Sequence, residues 1–149
     1  MTFRLLFVGT LLTGILLGAA ACSPSHVILE GRVKSYLKVA TDFNAAKEFL
    51  TPLLQEAVVS HGVSGGSMTM PGTAPKLQQL GQEALNKVGS GNIEIQGRGK
   101  WAQVTVFVPT EYGNEPVPTV WLKIGTTWYL YSGSGGEVNE YGEPPYFTK

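Results

Sequence analysis

The spacing of apolar residues in this chain changes character once, near Gly91, and that change limits the folds open to it. After Gly91 the period is two: Ile93 and Ile95 alternate with Glu94 and Gln96. Ala102, Val104, Val106 and Val108 alternate with Gln103, Thr105 and Phe107, and Val120, Leu122 and Ile124 alternate with Trp121 and Lys123. Successive side chains of a strand point to opposite faces, so this pattern predicts strands. Gly97 to Lys100 and Gly125-Thr126-Thr127 carry turn chemistry, and Tyr112-Gly113-Asn114-Glu115-Pro116 predicts a longer turn. Trp128 to Tyr131 supplies the last strand.

Before Gly91 the period is helical. Val33, Tyr36, Leu37, Ala40 and Phe43 recur at three and four, predicting an amphipathic helix from Glu30 to about Phe43. Asp42 and Asn44 are suited to break it and cap a short helix from Ala45 to Leu50, and Thr51-Pro52 opens another running to Ser60. Glycines and Pro71 exclude helix from His61 to Thr73, although Ser67 to Met70 alternates as a short strand does. A further helix is expected from Ala74 to Val88, stopped by Gly89. Helices first and antiparallel strands afterwards give an α+β fold, with N-terminal helices packed on a curved antiparallel sheet. The Ser132 to Gly136 run reads as a flexible break, leaving residues 133–149 as a polar and aromatic tail.

The N-terminus addresses location. Arg4 is followed by the apolar run Leu5 to Leu17, then by Gly18, Ala19, Ala20 and Ala21 directly before Cys22, the only cysteine. This is the layout of a secretory signal peptide. With a lone cysteine at the cleavage point it resembles the bacterial lipobox, although Ala19 stands where that motif usually has Leu. The resemblance implies lipidation of Cys22, with acyl chains such as palmitate, and removal of residues 1–21. Two chains suffice for stable anchoring at roughly 0.8 kcal/mol per buried methylene. Ser23 is not the aspartate of an inner-membrane retention signal, which points to the outer membrane, facing the periplasm, if the host is Gram-negative. An ordinary secreted protein and an uncleaved membrane helix are the alternatives; Leu5 to Ala21 is at the short limit for a span. Residues 22–29 then form the lipidated cysteine and a short tether, and residues 30–132 the domain.

The order of elements carries a second resemblance. Val33-x-x-Tyr36-x-x-x-Ala40-x-Asp42, the helix end at Leu50-Thr51-Pro52 and the closing strands Val120-Trp121-Leu122-Lys123-Ile124-Gly125-x-x-Trp128-Tyr129-Leu130 resemble the nuclear-transport-factor-2-like superfamily. In that group three helices lean on a bent sheet to form a cone. The family has a short strand where this chain has its glycine-rich segment. The group includes ketosteroid isomerases and polyketide cyclases, which use Asp, Tyr or His in an apolar pocket. Tyr36 and Asp42 are the residues to weigh for such roles, against core packing and helix capping.

Other chemistry is limited. Lys and Arg total 11 against 11 Asp and Glu, so no basic surplus favours nucleic acid. One cysteine with His26 and His61 makes neither a disulfide framework nor a closed zinc site, and no cofactor is implied. Gly62-Val63-Ser64-Gly65-Gly66 satisfies G-x-S-x-G, but the single aspartate, Asp42, lies upstream and no histidine follows, so the elbow lacks its triad. Ser132-Gly133-Ser134-Gly135-Gly136 lacks the Lys-Ser/Thr of a phosphate loop. Tyr36, Trp101, Trp121, Trp128 and Tyr129 are the candidate pocket or interface residues, Tyr131 belonging to the same aromatic group. The reading is a membrane-anchored envelope lipoprotein whose domain binds or assembles with an envelope protein. The alternative is a small-molecule enzyme or lipophile-binding protein with an apolar pocket inside the cone.

Overall fold

The computed structural model describes residues 24–60 and 74–147. Cys22, the segment before it, His61, Ser64 and the Ser67 to Met70 alternation lie outside the described residues. The fold is α+β. Helix α1 (Pro24–Leu37) is followed by α2 (Phe43–Ala46), a 3₁₀ turn, α3 (Pro52–Ser60), α4 (Ala74–Leu80) and α5 (Gln82–Asn86). Four strands come next, β1 (Ile93–Arg98), β2 (Trp101–Thr110), β3 (Gly113–Ile124) and β4 (Thr127–Tyr131), and α6 (Gly135–Tyr141) closes the order. The strands form one antiparallel meander in sequence order.

Helix α1 begins six residues before the expected Glu30, so residues 24–29 are helix and not tether. Pro24 fits a first turn because its missing N–H has no intrahelical partner there. The early start adds Leu29 to the buried stripe of Val33, Tyr36 and Leu37. The helix also stops early, at Leu37. Gln82 Nε2 donates to the Leu37 carbonyl at 2.8 Å and Gln82 Oε1 accepts from Thr41 Oγ1 at 2.8 Å, so a side chain from α5 caps α1. Asp42 caps as expected, accepting from the amides of Asn44 and Ala45 at 3.0 and 3.4 Å, but the expected helix from Ala45 to Leu50 is instead α2 from Phe43 to Ala46 followed by the 3₁₀ turn Lys47–Phe49. The single helix expected from Ala74 to Val88 is two. Gly81, at φ 78°, turns the chain between them, a conformation that a Cβ disfavours.

The expected long turn around Tyr112 is a two-residue turn at Glu111 and Tyr112, after which β3 runs straight through Pro116 and Pro118. A strand can hold those prolines where their ring nitrogens face away from its partner. Here β4 pairs only with Val120 to Ile124, so the opposite side of β3 is unpaired at both positions. The far edge of β4 is partly covered by a parallel bridge between Leu50 and Leu130.

Register decides which aromatics meet. Ala102 pairs with Trp121 and Trp101 with Leu122, so even positions of β2 share a face with odd positions of β3. One face carries Ala102, Val104, Val106, Val108, Val117, Trp121, Trp128 and Leu130 against α1 and the neighbouring helices. The other carries Trp101, Leu122 and Tyr131, covered by Val138, Tyr141 and Phe147. The segment expected to be a flexible tail is therefore a structured cover containing a helix.

Candidate functional site

Tyr36, Trp121 and Trp128 stand on the helix-facing side of the sheet. The Tyr36 ring lies 5.5 Å from Phe49 and 5.9 Å from Trp121, the latter nearly edge-on, an arrangement favoured by aromatic quadrupoles. Trp121 Nε1 donates to Thr119 Oγ1 at 2.9 Å, and Thr119 donates to the Val104 carbonyl at 3.0 Å. Tyr36 Oη and Trp128 Nε1 are buried without a hydrogen-bond partner. Burial raises the Tyr36 phenol well above its ordinary value and keeps it neutral. Around Tyr36 this face is packed ring to ring with Phe49 and Trp121, while a hollow of about 390 Å³ opens at its rim beside Leu37, Leu85 and Val88. Asp42, the other residue weighed for chemistry, is exposed and occupied with its cap.

Trp101 and Tyr129 stand on the opposite side. Trp101 packs edge-on against Tyr131 at 4.9 Å, and Lys100 Nζ sits 5.4 Å from the Trp101 ring centre. The five aromatic candidates thus divide between two faces of one sheet and do not line one site.

A concave surface does exist on the outer side. Gln103, Val120 and Tyr131 form its floor, Val138 one wall, and Pro144, Pro145, Tyr146 and Phe147 the other, around about 600 Å³. The size lies within the ordinary range of ligand pockets, and the wall is mainly apolar with few polar groups. Glu143 also belongs to its lining. Tyr131 Oη donates to the Gly142 carbonyl at 2.9 Å, tying the roof to the floor. The Tyr131 phenol is raised by burial and then by the carboxylates of Glu137 and Glu143.

What holds the wall in place is Glu137, a fully buried carboxylate that the sequence reading passed over. Its Oε1 accepts from Thr51 Oγ1 at 2.6 Å. Its Oε2 accepts from the Ser132 amide at 3.1 Å, the Ser132 hydroxyl, the Ser134 amide at 3.3 Å and the Ser134 hydroxyl at 3.2 Å. A buried carboxylate is tolerable only with its lone pairs engaged, and these donors engage both oxygens. The signal was present as Ser134-x-x-Glu137, the capping-box spacing, inside the run that glycine content marked as a break. Thr51, expected to cap α3, spends its hydroxyl on Glu137 instead. Gly136 completes the docking of α6: a Cβ there would meet Leu53 Cδ2 at 3.2 Å.

Among the described residues no group of three His, Cys, Asp or Glu is placed to hold a metal, and no helix is long and apolar enough to cross a membrane. Comparison with known proteins gives no match: no family model, no curated protein and no solved structure aligns with the chain.

Proposed function

We propose that this chain is an envelope lipoprotein, anchored by acyl chains on Cys22, whose domain is a non-enzymatic binding or assembly module. The observation that carries the reading is the contrast between the tightly packed aromatic cluster on the helix-facing side and an open, mainly apolar groove on the outer side. Binding at the groove needs no catalytic constellation, only apolar area and the polarity that Gln103 and Glu143 bring to its lining. The helices on one side of the sheet support the cone-like arrangement of the nuclear-transport-factor-2-like group, but the packing of Tyr36 against Phe49 and Trp121 argues against using that group's pocket. A lipophile carrier is the second reading, favoured by the groove's volume.

A photo-crosslinking amino acid at Val138, in the full-length membrane-bound protein, separates the two. A discrete protein adduct supports the assembly module. An adduct of lipid mass supports the carrier. Loss of both products when Val120 is replaced by Lys is expected in either case, and adducts unchanged by that substitution would remove the groove from consideration. Palmitate labelling tests the anchor. Incorporation into wild type that persists in Cys22→Ala would exclude lipidation at that thiol.

A further inference from the structure

We propose that the end of the domain bearing the β1–β2 and β3–β4 hairpins is a membrane-facing surface that takes anionic phospholipid headgroups. The inference rests on the anchoring of Cys22 and adds to it an orientation and a lipid class. A four-strand meander puts its first and third turns at one end of the sheet. These are Gly99-Lys100, between Arg98 and Trp101, and Gly125-Thr126, between Ile124 and Thr127. The start of α1 is at the same end. A Cβ on Gly97 would lie 2.9 Å from His26 Nε2, and Lys123 Nζ donates to Ser25 Oγ at 3.4 Å. Only Ser23 separates Cys22 from Pro24, a reach of about 7 Å for two residues, so an acylated Cys22 would hold this end against the bilayer.

The chemistry of the end suits that position. Val27 and Ile28, in the first turns of α1, are 60 % and 57 % exposed, and Tyr146 is 95 % exposed. Tyr146 belongs here because its carbonyl accepts from Arg98 Nη1 at 3.4 Å. Arg98 and Lys100 stand with the segment from Tyr141 to Tyr146 on the outer side of this end, and Lys123 stands with the start of α1 on the helix-facing side. Lys100 Nζ donates to the Tyr141 carbonyl at 2.8 Å, so all three cations bond neutral oxygens, and among the described residues none has a carboxylate partner. The lysines paired with carboxylates lie elsewhere, Lys76 with Glu115, Lys87 with Glu83 and Lys34 with Glu30. Arg32, Lys38 and Lys47 also have no carboxylate partner among the described residues, so what marks this end is three such cations together with exposed apolar side chains. Glu140 and Glu143, on either side of Tyr141, are acidic side chains that a headgroup layer must tolerate. Cations without carboxylate partners and exposed apolar side chains at one end of the sheet match an interface of anionic headgroups above acyl chains, where each basic residue strengthens attraction about fivefold.

The test uses the full, processed protein carrying Ile28→Cys. With Cys22 acylated, the new thiol is the only one free, and it takes an environment-sensitive fluorophore. The protein is incorporated into phosphatidylcholine vesicles with or without phosphatidylglycerol. A blue-shifted emission shielded from aqueous quencher on the phosphatidylglycerol vesicles, lost in Arg98→Glu/Lys100→Glu while thermal unfolding is unchanged, supports the surface. Emission typical of water on both vesicles, with the protein co-sedimenting, overturns the surface and leaves the anchor standing. An equal shift on both compositions overturns the anionic preference. A shift in native membranes but on neither vesicle assigns the end to a protein partner and overturns the lipid assignment. Failure to co-sediment with either vesicle defeats the anchor, and the inference with it.

Discussion

The two faces of the sheet are built on different principles. On the helix-facing side, Leu29, Val33, Tyr36, Phe49 and Trp121 are buried against one another, and two polar hydrogens are left without partners. On the outer side the buried set is small, Trp101, Leu122 and Tyr131, and the cover is fastened by hydrogen bonds to Glu137 and by Tyr131 to Gly142. Apolar area tolerates an unpartnered hydroxyl because the loss is small against the total burial. A hydrogen-bonded fastening has no such margin. The first face sets global stability, and the second is where a local opening or an incoming ligand can act without unfolding the domain.

Truncating the first face should give the largest effect. Trp121→Ala removes a fully buried indole, its edge-on contact with Tyr36 and the bond to Thr119, and should cost about 3 to 5 kcal/mol in urea unfolding of the whole chain. A midpoint shift worth under about 1 kcal/mol would mean that this core is not the seat of stability.

Glu137 probes the second face. Glu137→Ala strands the hydroxyls and amides that now donate to it and should cost about 3 kcal/mol, with Glu137→Gln about 1 to 2 because the amide keeps one acceptor. The distinguishing readout is local. Hydrogen exchange should accelerate through Ser132 to Phe147 in both variants before the amides of β2 change. Uniform acceleration over the whole domain would erase the distinction between the faces.

Much of the first face was legible, and little of the second. The helical stripe of Val33, Tyr36 and Leu37 and the alternation of β2 are periodic signals, and both correspond to buried residues. The cap at Asp42 is a local signal and equally readable. The break at Leu37 was not, since it depends on Gln82 reaching across from another helix. The division of the tryptophans was not either. Trp101 and Trp121 are both odd-numbered, and only the pairing of Ala102 with Trp121 shows that they face opposite ways. The extension of β3 through Pro116 and Pro118 was hidden because proline argues against a strand unless its open side is known. At the C-terminus the glycines of 133–136 outweighed the capping spacing of Ser134 and Glu137, although the acceptor's partners, Thr51 and Ser132, become visible only in three dimensions. His61, Ser64 and Cys22, which the sequence reading also singled out, lie outside the described residues.

The smallest effect expected is at Tyr36, and its sign follows from the first face being apolar. The hydroxyl is buried without a partner, so Tyr36→Phe removes a desolvated polar group while keeping the ring against Phe49 and Trp121. At neutral pH the variant should unfold at equal or slightly higher urea, by up to about 1 kcal/mol. The larger difference appears at alkaline pH. Burial raises the folded phenol from its ordinary 10.0, so above that value the unfolded chain gives up a proton that the folded chain keeps. The wild type's contribution from Tyr36 is therefore complete below pH 10 and declines as pH rises, by at most about 1.4 kcal/mol per pH unit. Phenylalanine has no such decline. Tyr131, also raised, is present in both proteins and cancels in the difference. Urea midpoints of the two proteins should consequently diverge above pH 10 in favour of Tyr36→Phe. A variant that loses more than about 1 kcal/mol at neutral pH would show that the hydroxyl has a partner, a buried water being the simplest, and that the helix-facing side is not as dry as its packing implies.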